Sequence, residues 1–288
     1  MDIGVVFPQN EVGNDPDVIR DFVQRAEDLG YTHLRVYDHV LGAVHEGRRP
    51  ALTGPYTEKT PFHEPFVLFG YLAGLTTSIE LVAGVIVLPQ RQTALVAKQA
   101  AEVDILSRGR LRLGVGTGWN FVEYEALNED FSNRGQRQEE QIELLRRLWE
   151  EPLVDYEGQW HRVDRASIMP LPGRRIPVWL GGFSDVAYRR AARLADGFLF
   201  ARPYEAAVAA VASLGSYLVE AGRGWDSFGF DALVQHGAGR GLWAADAAAF
   251  QGLGATHLTV NTMGQGLSGR EHADVLADYI EAVRSSIG

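Results

Sequence analysis

Apolar and polar positions follow two rhythms along the 288-residue chain. Short apolar runs at Ile3–Phe7, His33–Tyr37, Ile79–Leu88, Leu111–Gly116, Pro177–Gly181, Gly197–Ala201, Phe230–Gln235 and His257–Asn261 read as buried strands. A parallel strand is covered by helices on both faces, so its sequence is nearly continuously apolar. Between these runs, apolar residues recur at spacings of three and four. Val18, Ile19, Phe22, Val23, Ala26 and Leu29 draw one helix face, opened by Asp15-Pro16 and ended by Gly30. Ser184 opens a helix over Asp185–Ala195, which Asp196-Gly197 closes, and a helix over Val96–Leu106 stops at Gly109. Eight strands, each followed by a helix, is the count of a (β/α)8 TIM barrel. A doubly wound open sheet is the rival; the even rhythm favours the barrel, as one domain over residues 1–288.

Two segments break the rhythm. Residues 40–64 are rich in Gly, Pro, His and charge and carry no periodicity, which predicts a long loop after strand two. Residues 152–176, before strand five, contain two short strand-like runs around Glu157-Gly158 and predict a hairpin. Loops this long in a compact domain are usually functional or mobile. In a barrel the loop after strand two lies on the carboxyl-terminal rim, where such folds hold their chemistry.

Composition narrows the function. Net charge is −10, and no basic stripe is present to follow a phosphate backbone, so nucleic acid is not an expected partner. No basic amphipathic stretch suggests a membrane surface, and no apolar run reaches the roughly 18 residues of a membrane span. The chain opens directly on a strand-like run, so no signal peptide is read. There are no cysteines, which excludes disulfides, thiolate metal sites and thiol nucleophiles and is compatible with a cytoplasmic protein. The eight histidines show no metal-binding spacing, and no metal is expected.

Candidate chemistry sits at the strand exits. Strand two ends in Asp38-His39. A histidine there is a good acid–base or hydrogen-bonding group near neutral pH. Asp38 either sets its tautomer or faces away, since neighbours on an extended chain point oppositely. Strand three carries Gly84-Val85, where a glycine inside a buried run signals a bulge or a close approach. Strand four leaves through Gly116-Thr117-Gly118-Trp119. Thr117 can hydrogen-bond a ligand, while Trp119 either stacks on a planar ring or lids the core. Strand five leaves through Gly181-Gly182-Phe183-Ser184 into a capped helix, an arrangement suited to an anion such as phosphate. The charged helix Arg134–Glu151 reads mainly as a solvated face, although Arg134 and Arg137 lie nearest the rim.

Taken in order, these pieces resemble the bacterial luciferase-like superfamily and, within it, the deazaflavin (coenzyme F420)-dependent oxidoreductase branch. The matching residues are Asp38-His39; Gly84-Val85-Ile86-Val87-Leu88-Pro89; Leu106-Ser107-Arg108-Gly109-Arg110-Leu111 with Gly114-Val115-Gly116-Thr117-Gly118-Trp119; Arg134-Gly135, Arg137 and Glu139 with Leu148-Trp149; Gly158 and Trp160; and Pro177-Val178-Trp179-Leu180-Gly181-Gly182 with Ala195-Asp196-Gly197. The resemblance implies a barrel binding a flavin or deazaflavin at its carboxyl-terminal mouth. It places Asp38 and His39 beside the ring and the reacting centre, and puts at Gly84-Val85 a non-prolyl cis peptide supporting the ring. Thr117, Gly118 and Trp119 fall on the cofactor-contacting turn, and Gly181, Gly182 and Ser184 on a phosphate-binding turn.

One departure stands out. The sugar-phosphate dehydrogenases of this branch carry a proton-donating glutamate where this chain has Trp119. That argues against a sugar phosphate and leaves Glu123, one helical turn on, as the nearest carboxylate. The expected activity is hydride transfer between coenzyme F420 (8-hydroxy-5-deazaflavin) and a small organic substrate, with His39 orienting the cofactor or shuttling the proton. The alternatives are an FMN-dependent two-component monooxygenase and a non-catalytic flavin-binding barrel. The resemblance also implies a homodimer, with a flavin or F420 reductase supplying reduced cofactor.

Overall fold

A computed structural model describes residues 1–287. The chain runs β1 (Asp2–Val6), α1 (Pro16–Asp28), β2 (His33–Val36), α2 (Pro65–Leu75), β3 (Glu80–Ala83), β4 (Ile86–Val87), α3 (Thr93–Leu106), β5 (Leu111–Gly116), α4 (Phe121–Ala126) and α5 (Arg134–Glu150). It continues through β6 (Val154–Glu157), β7 (Arg162–Ala166), β8 (Val178–Gly181), α6 (Asp185–Leu194), β9 (Gly197–Phe200), α7 (Tyr204–Glu220), β10 (Gly229–Gln235), α8 (Arg240–Gly252), β11 (His257–Asn261) and α9 (Glu271–Ile287).

The main sheet is parallel in the order β3-β2-β1-β11-β10-β9-β8-β5-β4, and pairing of β3 with β5 closes it. With β3 and β4 as two halves of one staggered strand, this is the eight-stranded TIM barrel, not the open sheet. The expected run Ile79–Leu88 is therefore broken at Gly84-Val85, and its end, Leu88–Gln90, is a 3₁₀ turn. β6 and β7 form the separate antiparallel hairpin expected before the fifth barrel strand.

Local chemistry explains the element ends. The Asp15 carboxylate accepts from the Asp17 amide to start α1, Pro16 takes the first helical position, and Gly30 at φ +79° ends the turn. The buried stripe of α1 is Val18, Ile19, Phe22, Val23 and Ala26, which packs against the outer face of the barrel. Inside the barrel the expectation of apolar strands fails in part. His33, Arg35, Arg112, Asp231 and Thr259 are all at most 3% exposed and form a polar interior. His33 Nε2 lies 2.8 Å from the Thr259 hydroxyl, which donates to Asp231 Oδ1 at 2.7 Å. Lower in the barrel, Arg112 pairs with Glu80 and stacks over Trp179 at 4.4 Å. Among the described residues, no helix is long and apolar enough to cross a membrane.

Candidate active site

β2 delivers His39 to the mouth, and α4 brings Glu123 to meet it. Glu123 is 1% exposed; its Oε2 lies 3.0 Å from His39 Nδ1, and its Oε1 accepts the amides of Val40 and Leu41, the latter at 3.0 Å. Asn120, just before α4, donates to the Leu41 carbonyl at 3.1 Å. One carboxylate thus fixes both the imidazole and the two peptides that follow it. A carboxylate oxygen accepts, so it favours a proton on Nδ1 and leaves Nε2 as the uncommitted nitrogen of the ring. Nε2 has no hydrogen-bond partner among the described residues.

Three aromatic rings close edge-on around His39: Phe62 at 4.9 Å, Tyr56 at 5.3 Å and Trp119 at 5.5 Å between centroids. Tyr56 and Phe62 come from the long loop, which also presses on the indole. A Cβ on Gly54 would lie 2.4 Å from the Trp119 ring, and His45 packs edge-on against it at 5.9 Å. Trp119 is therefore a wall between the loop and His39. Glu123 entered the sequence reading only as a spare carboxylate, and Tyr56 and Phe62 did not enter it at all. The signal for the two aromatics was their placement after prolines in a loop, in Pro55-Tyr56 and Pro61-Phe62.

Asp38 turns the other way. Its Oδ2 accepts from the Val87 amide at 2.9 Å and Arg91 Nε at 3.2 Å, and its Oδ1 from Arg91 Nη2 at 2.7 Å. Arg91 continues to Glu64 at 3.0 Å. Burial opposes the Arg91 charge, but Asp38 and Glu64 outweigh it and hold the guanidinium above its ordinary range. Asp38 thus ties the exit of β2 to the end of β4, while the ring nitrogen of His39 is set by Glu123.

The peptide Gly84–Val85 is cis. The Val85 side chain fills the space that glycines leave on the two neighbouring strands. A Cβ on Gly116 would lie 2.5 Å from one Val85 methyl carbon, and a Cβ on Gly181 2.8 Å from the other. Thr117 uses its carbonyl to accept from the Tyr124 hydroxyl at 2.7 Å. Gly118 follows at φ +61°, a conformation glycine adopts freely. In the turn Gly181-Gly182-Phe183-Ser184, the Ser184 side chain caps α6 through the Ala187 amide, and Phe183 is largely exposed. These residues ring the carboxyl ends of β2, β4, β5 and β8. Arg134 and Arg137 do not join them: the first stacks on Phe131 and the second pairs with Glu129. No group of three or more potential ligands is placed to hold a metal among the described residues.

Comparison with known proteins bears on the family and the fold. A sequence model described as luciferase-like monooxygenase matches residues 1–279. An uncharacterised protein of Mycobacterium tuberculosis is 34% identical over 178 residues, covering 60% of this chain and 62% of that protein. An F420-dependent glucose-6-phosphate dehydrogenase of Nakamurella multipartita is 29% identical over 192 residues, 64% of this chain and 52% of the enzyme. An FMNH(2)-dependent dimethylsulfone monooxygenase of Pseudomonas fluorescens is 32% identical over 139 residues, 47% of this chain and 38% of the enzyme. The chain thus spans less than two thirds of the length of these curated relatives. Among solved structures, an F420-dependent secondary alcohol dehydrogenase superposes with a TM-score of 0.79 at 16% identity, covering 98% of this chain and 99% of that one. Monooxygenase RslO1 of Streptomyces bottropensis gives 0.76 at 18% identity, with both chains fully covered. At those identities the likeness is one of fold. With the family model matched from end to end of the barrel, the chain belongs to the luciferase-like monooxygenase family.

Proposed function

We propose that this chain is an oxidoreductase that uses coenzyme F420 at the barrel mouth to oxidise or reduce a small organic substrate. The observation that carries the proposal is the His39–Glu123 pair, an imidazole fixed through Nδ1 and open at Nε2 where the strands end. Set at the strand ends and ringed by aromatic side chains, an imidazole held on one side and open on the other is suited to proton transfer.

The surroundings suit a planar cofactor. Gly84-Val85, Thr117 and Gly118 offer backbone rather than bulky side chains, and the Gly181-Gly182 turn leading into α6 suits a phosphate. When bound, the deazaflavin supplies hydride chemistry at its C5 position. The chain does the rest. His39 Nε2 takes or returns the proton of the substrate oxygen, and Glu123 keeps the ring from turning. Tyr56, Phe62 and Trp119 keep water from the reacting atoms. Trp119, in place of a carboxylate, supports an organic substrate other than a sugar phosphate.

The FMN-dependent monooxygenase reading, with a reductase partner, is supported by the dimethylsulfone monooxygenase among the relatives. Fluorescence titration of the apo-protein with F420 and, separately, with FMN tests the two. Micromolar binding of F420 with weak FMN binding is the expected result. Preference for FMN, with oxygen uptake when the flavin is reduced, would replace the proposal by the monooxygenase. Tight binding without turnover of any substrate would instead leave a non-catalytic barrel.

A further inference from the structure

Arg35, in the upper interior of the barrel, is a charge without a sufficient partner. Its side chain is 3% exposed, and two of its nitrogens, Nε and Nη1, are buried without a hydrogen bond. A buried guanidinium normally has its donors matched, because leaving a charge half-satisfied away from water is costly. The nearest carboxylate is Asp231, whose Oδ2 stands 4.0 Å from Nη1 and is itself without a hydrogen bond. Asp231 spends its other oxygen on Thr259. Arg112, lower in the same barrel, is different: it is bonded to Glu80 through Nε and Nη2 and lies on an indole face.

The position of Arg35 is also defined. A Cβ on Gly84 would lie 2.3 Å from Arg35 Nε, so the guanidinium lies directly against the Gly84–Val85 peptide. The other groups facing it are uncharged near neutral pH. Burial keeps the His33 imidazole neutral by lowering its pKa well below the usual range, and burial holds the Tyr37 and Tyr56 hydroxyls protonated. Arg35 and Asp231 are therefore the charges of this layer, with the Arg112–Glu80 pair beneath.

We propose that Arg35 is a binding-site cation that recognises a delocalised negative charge on the ring of the cofactor and so favours the deazaflavin over FMN. This rests on the cofactor reading above. Oxidised 8-hydroxy-5-deazaflavin ionises at its hydroxyl close to neutral pH, and the charge spreads over the ring; the oxidised FMN ring is neutral there. A buried cation short of counter-charge distinguishes the two through its field, which favours an ionised ring and leaves a neutral one nearly unaffected.

The test uses the whole chain and oxidised F420, with FMN as the control ring. Absorbance reads ring ionisation across pH, and fluorescence reads affinity. In the wild-type protein, bound F420 stays ionised to a pH about one unit below that of the free cofactor, a shift of the size one nearby charge produces. Arg35→Met abolishes that shift and weakens F420 binding by about tenfold or more, while FMN binding changes by less than about threefold. Arg35→Lys, which keeps the charge, restores most of the shift. An ionisation midpoint for F420 in the wild-type protein equal to that of the free cofactor overturns the inference without any variant. So does a folded Arg35→Met protein whose midpoint and affinity are unchanged. If the wild-type protein binds FMN and not F420, the cofactor reading itself has failed, which is a separate result.

Discussion

Two glutamates fasten the two inserted segments of this barrel in the same way, and only one of the histidines they hold remains available. Glu123 takes the amides of Val40 and Leu41 and the Nδ1 of His39, anchoring the long loop. Glu140 on α5 takes the amides of Gln159, Trp160 and His161 and the Nδ1 of His161, anchoring the β6–β7 hairpin. In the hairpin the second ring nitrogen is also occupied: His161 Nε2 lies 2.8 Å from the Thr93 hydroxyl, which also accepts from Gln141 at 2.9 Å. In the loop, no described residue meets His39 Nε2, and aromatic rings surround the imidazole. The same local device is closed in one place and open in the other. The function proposed above assigns the chemistry to the open one.

The largest effect expected from this difference is on the histidines themselves. His39→Ala should lower turnover by about 100-fold or more, the usual weight of a general acid–base group, with cofactor affinity changed only a few-fold. His161→Ala should leave turnover within a few-fold and lower the melting temperature. Steady-state rates measured beside cofactor titrations separate the two outcomes; equal losses of turnover would erase the distinction between the sites.

A smaller effect, in the same sense, is expected for the glutamates. Glu123→Gln should slow turnover by about tenfold, because the imidazole loses the carboxylate that fixes its orientation. Glu140→Gln should leave turnover within a few-fold and expose residues 152–176 to limited proteolysis. The donors to Glu140 are exposed or half-buried, so the loss is about 1 kcal/mol, the low end for an acceptor removed.

The smallest effect is the pH response of the hairpin. Burial raises the Glu140 carboxyl, but the amides of Trp160 and Gln159 and the His161 side chain outweigh it, so its pKa lies below the ordinary 4.5. Burial also lowers His161 below 6.5, despite the opposing pull of Glu140. In both cases the unfolded segment binds protons more readily than the folded one, so stability rises with pH across each window. Protection of the hairpin amides from hydrogen exchange should therefore be full above about pH 6.5, begin to decline below it as the unfolded imidazole gains a proton, and fall further below 4.5. His161→Gln should remove the upper part of that decline and keep the lower.

The barrel was legible in the sequence because its rhythm is redundant: eight apolar runs and their intervening helices each repeat the same message. His39 was legible from position, since it follows a predicted strand on the side where barrels keep their sites. Its partner was harder to read. Glu123 lies on α4, a helix of six residues, too short for a periodic pattern to show which face looks inward. Tyr56 and Phe62 were hidden because an irregular loop has no repeat from which side-chain direction can be deduced. The polar interior left a trace that the emphasis on apolar runs concealed. In His33-Leu34-Arg35-Val36-Tyr37 the polar residues fall at every second position, the period of one strand face, and that face is the inside of the barrel.

The packing of Val85 between two glycines has a consequence for how this chain can change. Residues 85, 116 and 181 come from three different strands, yet they share one volume. Enlarging Gly116 or Gly181 alone drives a new methyl group into Val85, whereas the same change after Val85 has become alanine meets only ordinary van der Waals contacts. The order in which mutations arrive therefore matters. Neither glycine can be enlarged first without cost, so a change at position 85 has to come before that side of the mouth of this barrel is reshaped.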